Sequence, residues 1–528
     1  MIEPLLGTDG VRRLRDALLA AGYTGPALTD RMDDRTAAAV RAGDAPLVRR
    51  WLAGDDPQAT LARLFLAGSV EPPARVAAAL GGVDVADAVA ATLLVPDGDG
   101  LRAGVEVHPY GDVDGAEEWW TVADLPANLR GGPLPADHVL GVGGASTTLA
   151  LATRRTPVGT ALDLGTGCGV QALHLSRHAG RVTATDLSAR ALRYAATTAA
   201  LSGQDWELLA GDLTAPVAGR RFDLVVSNPP FIVGPAAREH FTYRDSGREG
   251  DAVCAELIAA MPGLLADGGY AQFLANWIHP AGGDWAQRLA DRLAGTGLDA
   301  WIVQREVSTP AEYVRMWLAD TTAGAPAASA AAAGDWLDWF AAQGIEAVGF
   351  GIVTLRAGGH ADPTVRIEDV RQPTDPIGGL VPEWFDRQDF LRAHPGPALL
   401  SARLRAAESL ALHAESALGP DGWTVRTHRL ALSAGARWVE ETDELVASVV
   451  AGCTGALPLA DVLGLLAAAH DLDPAAVYAA ALPVVAGLVE RGILLPPASA
   501  EAGGTRADAL PSAGATGERP AAGSTEGN

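Results

Sequence analysis

The sequence predicts an α/β protein whose central domain, residues 131–372, contains a seven-stranded, mostly parallel sheet. Three observations support this fold class. Short apolar segments of strand length alternate with longer segments of helical periodicity, which is typical of a sheet covered by helices on both faces. A glycine-rich turn follows the first strand candidate, and the tetrad Asn-Pro-Pro-Phe follows the fourth.

Seven segments carry the strand pattern. The strand candidates are residues 160–165, 181–187, 206–212, 222–228, 269–277, 298–307 and 347–356. The clearest helix candidates between them are residues 170–179, 189–203 and 251–266, where apolar residues recur at spacings of three and four. An Ala-rich insertion, residues 309–344, separates the last two strand candidates.

Helical patterns also fill both flanking regions. Residues 1–130 carry several helical segments and then two alternating runs, 100–111 and 117–125, which predict a hairpin. Helices followed by a hairpin indicate a winged-helix-like module. Few basic residues lie on its predicted third helix, so we expect packing or substrate presentation rather than DNA reading. Residues 373–497 predict a second helical, winged-helix-like module, and the polar tail 498–528 is predicted to be disordered.

Composition and charge limit the possible classes of protein. A chain of 528 residues is too long for one hydrophobic core, and its net charge of −24 opposes non-specific binding to a phosphate backbone, although a local Arg patch could overcome it. Cys168, Cys254 and Cys453 lie far apart, which indicates a reducing compartment and no metal site. The N-terminus lacks the pattern of a secretory signal, and no apolar run reaches the roughly 20 residues that span a bilayer. We therefore expect a cytoplasmic protein with no membrane partner.

The strongest local signal is the turn after the first strand candidate. The strand ends in Asp163, and the turn contains Gly165, Thr166, Gly167 and Gly169 before the next helix begins. Glycine suits a backbone that passes close to a ligand and adopts dihedral angles that a side chain forbids. Dinucleotide-binding folds also use such a turn, so the turn alone is weak evidence for one ligand.

Acidic residues end the next two strand candidates. Asp186, followed by Leu187, ends the second strand, where an acidic side chain can accept both hydroxyls of a ribose. Asp212, followed by Leu213, comes after the third strand. Each aspartate alone is as readily interpreted as a helix cap or turn residue. Their register with the glycine turn favours a nucleoside-binding site.

The segment Asn228-Pro229-Pro230-Phe231 ends the fourth strand at the carboxyl edge, where open α/β sheets place their chemistry. A Pro-stiffened strand exit is the simpler interpretation, but the position of the tetrad relative to the glycine turn argues against it. The Asn228 side-chain oxygen and the Pro229 carbonyl can each accept an N–H of a planar nitrogen and stabilise positive charge that develops on it. The prolines fix the carbonyl direction, and Phe231 offers a face for stacking.

These segments together resemble the methyltransferase small-domain superfamily, which includes release-factor glutamine methyltransferases and ribosomal-RNA guanine-N2 methyltransferases. Residues 163–169, Asp186, Asp212 and residues 228–231 carry the resemblance. It implies S-adenosyl-L-methionine as cofactor, with Asp163 near the methionine amino group, Asp212 at the adenine amino group and Leu213 on the ring. It also implies a Rossmann-like class I methyltransferase sheet, whose sixth and seventh strands form a hairpin at one edge.

Two further segments are candidates for the site. Residues 136–146 could close over the methionine end of the cofactor, or they could be a Gly-rich linker. Residues 241–250 follow the tetrad and could form a substrate-side lid with Arg244 and Arg248 as contacts, or a solvated loop. No catalytic role is expected for Cys168 or His174.

The sequence leaves the methyl acceptor open. A macromolecular acceptor is expected: a protein glutamine suits the acidic chain, whereas a nucleic-acid base suits Phe231 and the winged-helix-like flanks. A small-molecule acceptor is a further possibility if Trp119, Trp120, Trp336 and Trp339 wall one pocket. An inactive binding scaffold is disfavoured, because Asp163, Asn228 and the glycines are all present.

Overall fold

The computed structural model describes residues 2–41, 44–111, 118–130, 134–236, 247–318, 326–370, 377–420 and 422–497. The chain divides into two compact units. Residues 1–388 with 432–438 form the first unit, and residues 389–431 with 439–528 form the second. The N-terminal region and the central sheet thus belong to the same unit.

The N-terminal region begins with short helices, three of which start at aspartate caps. These helices are α1 (Gly7–Ala20), α2 (Gly25–Arg31), α3 (Asp34–Arg41), α4 (Ala45–Trp51), α5 (Pro57–Ala67), α6 (Pro73–Ala79) and α7 (Val85–Ala90). The carboxylates of Asp44, Asp56 and Asp84 accept backbone N–H groups in the first turns of α4, α5 and α7. Such caps satisfy N–H groups that a helix start leaves without partners.

Two hairpins follow these helices, where the sequence predicted one. They consist of β1 (Leu94–Asp97) with β2 (Gly100–Ala103), and β3 (Glu106–Gly111) with β4 (Glu118–Ala123). The predicted run 100–111 is broken at Gly104, where a Cβ would lie 2.1 Å from the carbonyl oxygen of Thr92. Residues 100–103 therefore pair antiparallel with the preceding strand β1. Only residues 106–111 pair with the following strand β4.

The central sheet has eight strands. In chain order they are β5 (Val158–Leu164), β6 (Ala179–Asp186), β7 (Glu207–Ala210), β8 (Phe222–Ser227), β9 (Leu265–Pro280), β10 (Asp299–Ser308), β11 (Ile345–Arg356) and β12 (Val365–Asp369). Their order across the sheet is β12-β10-β11-β9-β8-β5-β6-β7. Strands β5 to β9 run parallel, and β11 runs antiparallel to both of its neighbours.

The α/β fold class is confirmed, while the predicted strand count is corrected from seven to eight. All seven predicted strands are present, and β10 pairs with β11 as expected. That pair does not form the edge of the sheet, because β12 adds in parallel to β10. The β12 segment is short and partly charged, so its apolar pattern is weak. It is held by Ile367, which packs on the core, and by Glu368, whose carboxylate accepts the Trp301 indole N–H at 2.9 Å.

Helices cover both faces of the sheet. Their ranges are α8 (Ala127–Arg130), α9 (Gly144–Ala152), α10 (Val170–Ser176), α11 (Ala189–Leu201), α12 (Ala252–Leu264), α13 (Trp285–Leu293), α14 (Pro310–Leu318) and α15 (Pro326–Ala342). Alternate residues of β8 enter different apolar cores: Leu224 and Val226 pack with α9, α10 and α11, whereas Val225 packs with α12 and α13. Because both faces of such a strand are buried, its sequence is a continuous run of apolar residues.

The remaining elements follow the sheet in the chain. They are α16 (Leu380–Ala393), β13 (Arg405–Ala406), β14 (Leu410–Gly419), β15 (Gly422–Leu432), β16 (Val439–Thr442), α17 (Glu444–Gly452), α18 (Leu459–Ala469), α19 (Pro474–Glu490) and β17 (Leu494–Leu495). Asp473 caps α19, and Pro474 occupies its first turn, where the missing N–H of proline costs no hydrogen bond. This helix carries no basic residue. Among the described helices, none combines the length and apolarity needed to cross a membrane.

The N-terminal region packs on helix α11 through side-chain hydroxyls as well as apolar contacts. Thr197 Oγ1 accepts the Leu5 N–H at 3.0 Å, and Thr198 Oγ1 accepts the Val122 N–H at 2.9 Å. Ser202 Oγ accepts the Trp120 N–H at 3.2 Å. These buried N–H groups would otherwise lack partners, so the polar face of α11 fixes the position of β4.

We expect Thr198→Val to lower the melting temperature, because it keeps the side-chain shape but leaves the Val122 N–H buried without an acceptor. An unsatisfied buried group costs about 1–3 kcal/mol. Thr29→Val is the matched control, since the exposed Thr29 hydroxyl bonds only to the Gly25 carbonyl of its own helix. Thermal unfolding measures both variants. Equal melting temperatures for the two variants would contradict this account of the packing.

Candidate active site at the carboxyl edge of the sheet

The glycine turn between β5 and α10 adopts left-handed backbone conformations at each of its glycines. The φ angles are +72° at Gly165, +55° at Gly167 and +87° at Gly169. A Cβ at Gly169 would lie 2.7 Å from the Trp206 ring, whereas a Cβ at Gly165 or Gly167 would meet nothing within 4 Å. Gly169 therefore allows close packing, while the two earlier glycines bring bare backbone to the open edge of the sheet, as the sequence predicted.

Asp163 lies fully buried at the end of β5. One carboxylate oxygen, Oδ2, accepts the Thr166 hydroxyl at 2.7 Å and the Ala172 N–H at 3.1 Å. The other, Oδ1, is buried and has no hydrogen-bond partner among the described residues. Burial raises the pKa of Asp163 to about 7. An ammonium group placed at Oδ1 would supply the missing donor and favour the ionised carboxylate.

Asp186 joins the glycine turn to the start of α11. Its Oδ2 accepts the Gly167 N–H at 2.9 Å, and its Oδ1 accepts the Ser188 N–H at 2.8 Å. Burial raises the pKa of this half-buried carboxyl group. A carboxylate oxygen can accept more than one hydrogen bond, so both oxygens can still accept a diol. Leu187, beside it, is 63% exposed and forms an apolar surface at the same edge.

Asp212 lies at the tip of β7 and is engaged by a residue from a distant segment. Its Oδ2 lies 3.1 Å from the Arg248 guanidinium, which also contacts Glu256 at 2.5 Å. Arg248 was a candidate substrate contact in a segment that could form either a lid or a solvated loop, and here it joins the chain after the tetrad to the β7 tip. Leu213 has a φ of +42° and packs half-buried against the core.

Asn228 lies at the end of β8 and contacts the segment that precedes the sheet. Its Nδ2 donates to the Ser146 hydroxyl at 3.4 Å. Ser146 is held in turn by Gln171 of α10, whose Nε2 donates to the Ser146 carbonyl at 2.8 Å. In the described part of the chain, Asn228 Oδ1 has no hydrogen-bond partner. The end of the segment 136–146 thus touches Asn228, and its closure over a cofactor stays a prediction.

The residues after Asn228 turn into an aromatic cluster. Pro229 is buried, and the half-buried ring of Phe231 meets Trp317 of α14 edge-on, with 6.4 Å between ring centroids and 71° between planes. Two residues further on, the Val233 N–H donates to the Tyr313 hydroxyl at 2.8 Å. Sequence reasoning missed Trp317 and Tyr313, because the insertion that contains them was noted only for its alanines and its later aromatic segment.

Some predicted residues lie elsewhere or cannot be placed. Residues 241–246, including Arg244, fall outside the described residues. The prediction that four tryptophans could wall one pocket is wrong: Trp119 and Trp120 lie in two different cores, and Trp336 and Trp339 belong to a third cluster.

No catalytic role was expected for His174 or Cys168. Both side chains are buried, which lowers the pKa of His174 to about 3 and raises that of Cys168 to about 12. His174 Nε2 lies 2.8 Å from the Tyr110 hydroxyl.

Comparison with known families matches three parts of the chain. Residues 142–280 match the methyltransferase small domain. Residues 20–104 and 382–496 match two domains of unknown function. The sheet residues that match the methyltransferase small domain include the glycine turn, Asp186, Asp212 and the tetrad described above.

Two curated relatives are similar to part of the chain. A ribosomal RNA small subunit methyltransferase C from Alcanivorax borkumensis is 33% identical over 118 residues, covering 22% of this chain and 32% of the relative. A release factor glutamine methyltransferase from Deinococcus radiodurans is 47% identical over 81 residues, covering 15% of this chain and 29% of the relative. The chain thus spans about a third of the length of these relatives.

Among solved structures, a T. thermophilus 16S rRNA N2 methyltransferase in complex with AdoMet and guanosine is 18% identical. The alignment covers 43% of this chain and 62% of that chain, with a TM-score of 0.25.

We expect Asp163→Asn to stabilise the cofactor-free protein relative to wild type as pH rises. The pKa of about 7 in the folded protein lies above the ordinary aspartate value of 3.8. Ionisation therefore favours the unfolded chain progressively from about pH 4 to pH 7, by about 4 kcal/mol in all. The asparagine has no such penalty. The difference in melting temperature, variant minus wild type, should grow between pH 5 and 7 and then level off.

Asp223→Asn is the matched control. Like Asp163, Asp223 accepts one threonine hydroxyl and one backbone N–H, in this case both from Thr160. A pH trend confined to Asp163→Asn supports the argument. A melting-temperature difference for Asp163→Asn that stays constant from pH 5 to 8 would show that Asp163 does not ionise under a burial penalty.

Proposed function

We propose that the methyltransferase small domain at residues 142–280 binds S-adenosyl-L-methionine and methylates a planar nitrogen on a macromolecule. The observation that carries this proposal is that two side-chain oxygens at neighbouring strand ends, Oδ1 of Asn228 and Oδ1 of buried Asp163, have no hydrogen-bond partner among the described residues. The first lies at the end of β8 and the second at the end of the adjacent strand β5. The two oxygens provide an acceptor for the substrate N–H and an acceptor for the ammonium group of the cofactor.

The residues at the sheet edge fit the parts of the cofactor. Asp163 would hold the methionine ammonium group, and Asp186 the ribose hydroxyls. Leu187 and Leu213 would offer apolar contacts to the adenine ring, and Asp212 would accept a hydrogen bond from the adenine amino group. The backbone of residues 165–167 can approach the ligand closely. When bound, S-adenosyl-L-methionine supplies an electrophilic methyl group on a positively charged sulfur.

Asn228 and Pro229 would orient the accepting nitrogen. An amide or exocyclic amine shares its lone pair with a π system and is a poor nucleophile. Hydrogen bonds from its N–H groups to Asn228 Oδ1 and the Pro229 carbonyl would fix it in line for attack and stabilise the positive charge that develops. Ser146 keeps the Asn228 amide anchored through Nδ2, which leaves Oδ1 for the substrate. This arrangement needs positioned acceptors more than a strong base.

A protein glutamine side chain is the acceptor we favour. The net charge of −24 disfavours a polyanionic substrate. One relative of the matched region is named a release factor glutamine methyltransferase. The exocyclic amine of a nucleic-acid base is the second candidate, and the aromatic pair Phe231 and Trp317 supports it because aromatic side chains stack on bases. Another relative is named a ribosomal RNA methyltransferase.

We expect Asp186→Ala to weaken S-adenosyl-L-methionine binding, because hydrogen bonds to a charged acceptor contribute about 1.5–3 kcal/mol. Isothermal titration calorimetry measures this change. Asp205→Ala is the control: Asp205 is an exposed carboxylate that precedes β7, away from the carboxyl edge. Wild type should bind S-adenosyl-L-methionine more tightly than NAD, and the opposite order would refute the cofactor assignment.

We expect Asn228→Ala to leave cofactor affinity nearly unchanged and to lower turnover, because the lost interaction exists mainly in the transition state. Removing one preorganised group of this type costs roughly 10²–10³ in rate. The assay measures tritiated methyl transfer from labelled cofactor into bacterial lysate, followed by protease or nuclease digestion. Exposed Asn128 supplies the control substitution Asn128→Ala. Full activity of Asn228→Ala would place the methyl-transfer site elsewhere.

A further inference from the structure

The helical insertion between β10 and β11, residues 309–344, packs on the chain that leaves Asn228. Tyr313 of α14 is fully buried, and its hydroxyl lies within hydrogen-bond distance of two donors: the Val233 N–H at 2.8 Å and Asn276 Nδ2 at 2.9 Å. Trp336 of α15 lies so close to Gly234 that a Cβ there would be 2.8 Å from its indole nitrogen. The insertion thus packs against Val233 and Gly234, just after the tetrad, and against Asn276 of β9.

The same insertion also contacts the chain where it returns from the tetrad. The Gly250 N–H donates to the Gly234 carbonyl at 2.8 Å, so these two residues lie side by side although 16 positions separate them in the chain. Next to that contact, the Trp339 indole donates to Glu249 at 3.0 Å. Helices α14 and α15 therefore contact the chain at Val233 and Gly234, soon after the tetrad, and again at Glu249.

Trp317 of α14 contacts the aromatic residue that ends the tetrad. Phe231 follows Asn228 by three residues, and Trp317 meets its ring edge-on at 6.4 Å. Both rings are half-buried, so each keeps part of its surface exposed. A planar group that stacks on Phe231 while hydrogen-bonded to Asn228 would meet the Trp317 ring.

The charge of the insertion indicates what kind of chain carries that planar group. Its exposed charged residues in the described part are Glu312, Asp335 and Asp338, with Arg315 as the opposing cation. The wall is therefore net negative, and Glu249 adds a further exposed carboxylate beside it. Such a surface repels a phosphate backbone and is compatible with a neutral or basic polypeptide.

We propose that α14 and α15 form the acceptor-side wall of the site, and that Trp317 stands beside Phe231 and contacts the planar side-chain amide of a polypeptide that stacks on Phe231. This inference rests on the proposed function and deepens it. Trp317 is a specificity-determining residue in this arrangement, since it would touch the acceptor and not the cofactor.

The test uses the full-length protein, tritiated S-adenosyl-L-methionine, and the total protein and total RNA fractions of a bacterial lysate as acceptors. Label should enter the protein fraction and be released by protease. Trp317→Ala should raise the protein concentration for half-maximal rate roughly 5–10-fold, the size expected for loss of an aromatic contact. Turnover at saturation and cofactor affinity should change less than about 3-fold. Trp317→Phe keeps an aromatic ring and should have a half-maximal protein concentration close to that of wild type.

Met316→Ala is the matched control, because Met316 is 43% exposed on the same helix. If Trp317→Ala fails to fold, Trp317→Leu tests the same point, since it keeps apolar volume but has no ring. A Trp317 variant that behaves like Met316→Ala overturns the acceptor wall while leaving Asn228-dependent methylation intact. Label that enters only RNA overturns the polypeptide acceptor. Absence of any Asn228-dependent label overturns the proposed function itself.

Discussion

The burial of one carboxylate, Asp163, is the constraint on which the rest of the site depends. Its Oδ2 binds the Thr166 hydroxyl and the Ala172 N–H, so the side chain closes the turn from β5 into α10 upon itself. The turn can be that tight because its glycines take left-handed φ angles. Its Oδ1 remains buried without a partner, which is costly unless a cationic donor completes the site. The apo fold therefore carries a local penalty that ligand binding would relieve.

The other groups reach this carboxylate through contacts between segments far apart in the chain. Asp186 joins the glycine turn to α11 through two backbone N–H groups. Ser146 meets Asn228 from 82 residues away, and Arg248 meets Asp212 from 36 residues away. Parallel strands make this possible, because their carboxyl ends all meet at one edge. The site is thus an edge where loops converge, and each loop stabilises a neighbour in addition to any contact with ligand.

The sequence predicted what is encoded locally and missed what depends on distant partners. Seven strands of the sheet, the glycine turn and the tetrad could all be read from apolar runs and turn chemistry, since each is fixed by a few adjacent residues. Strand β12 was missed because its short, partly charged segment becomes a strand only beside β10. The break at Gly104 depends on the Thr92 carbonyl oxygen, twelve residues earlier. Trp317 meets Phe231 only through tertiary packing, which no periodicity reveals.

A buried carboxylate joins the N-terminal region to helix α11. Asp124, just after β4, is buried and accepts hydrogen bonds from Arg190, the Tyr194 hydroxyl and the Val139 N–H. Arg190 and Tyr194 belong to α11, which begins three residues after Asp186. The start of this helix is joined to the glycine turn through Asp186, and its body receives β4, so the helix cannot shift independently of either. The hydroxyls of Thr197, Thr198 and Tyr194 and the Arg190 guanidinium all bind internal partners. The N-terminal region therefore packs on the helix that follows Asp186, and this packing holds the second strand end of the proposed site in place.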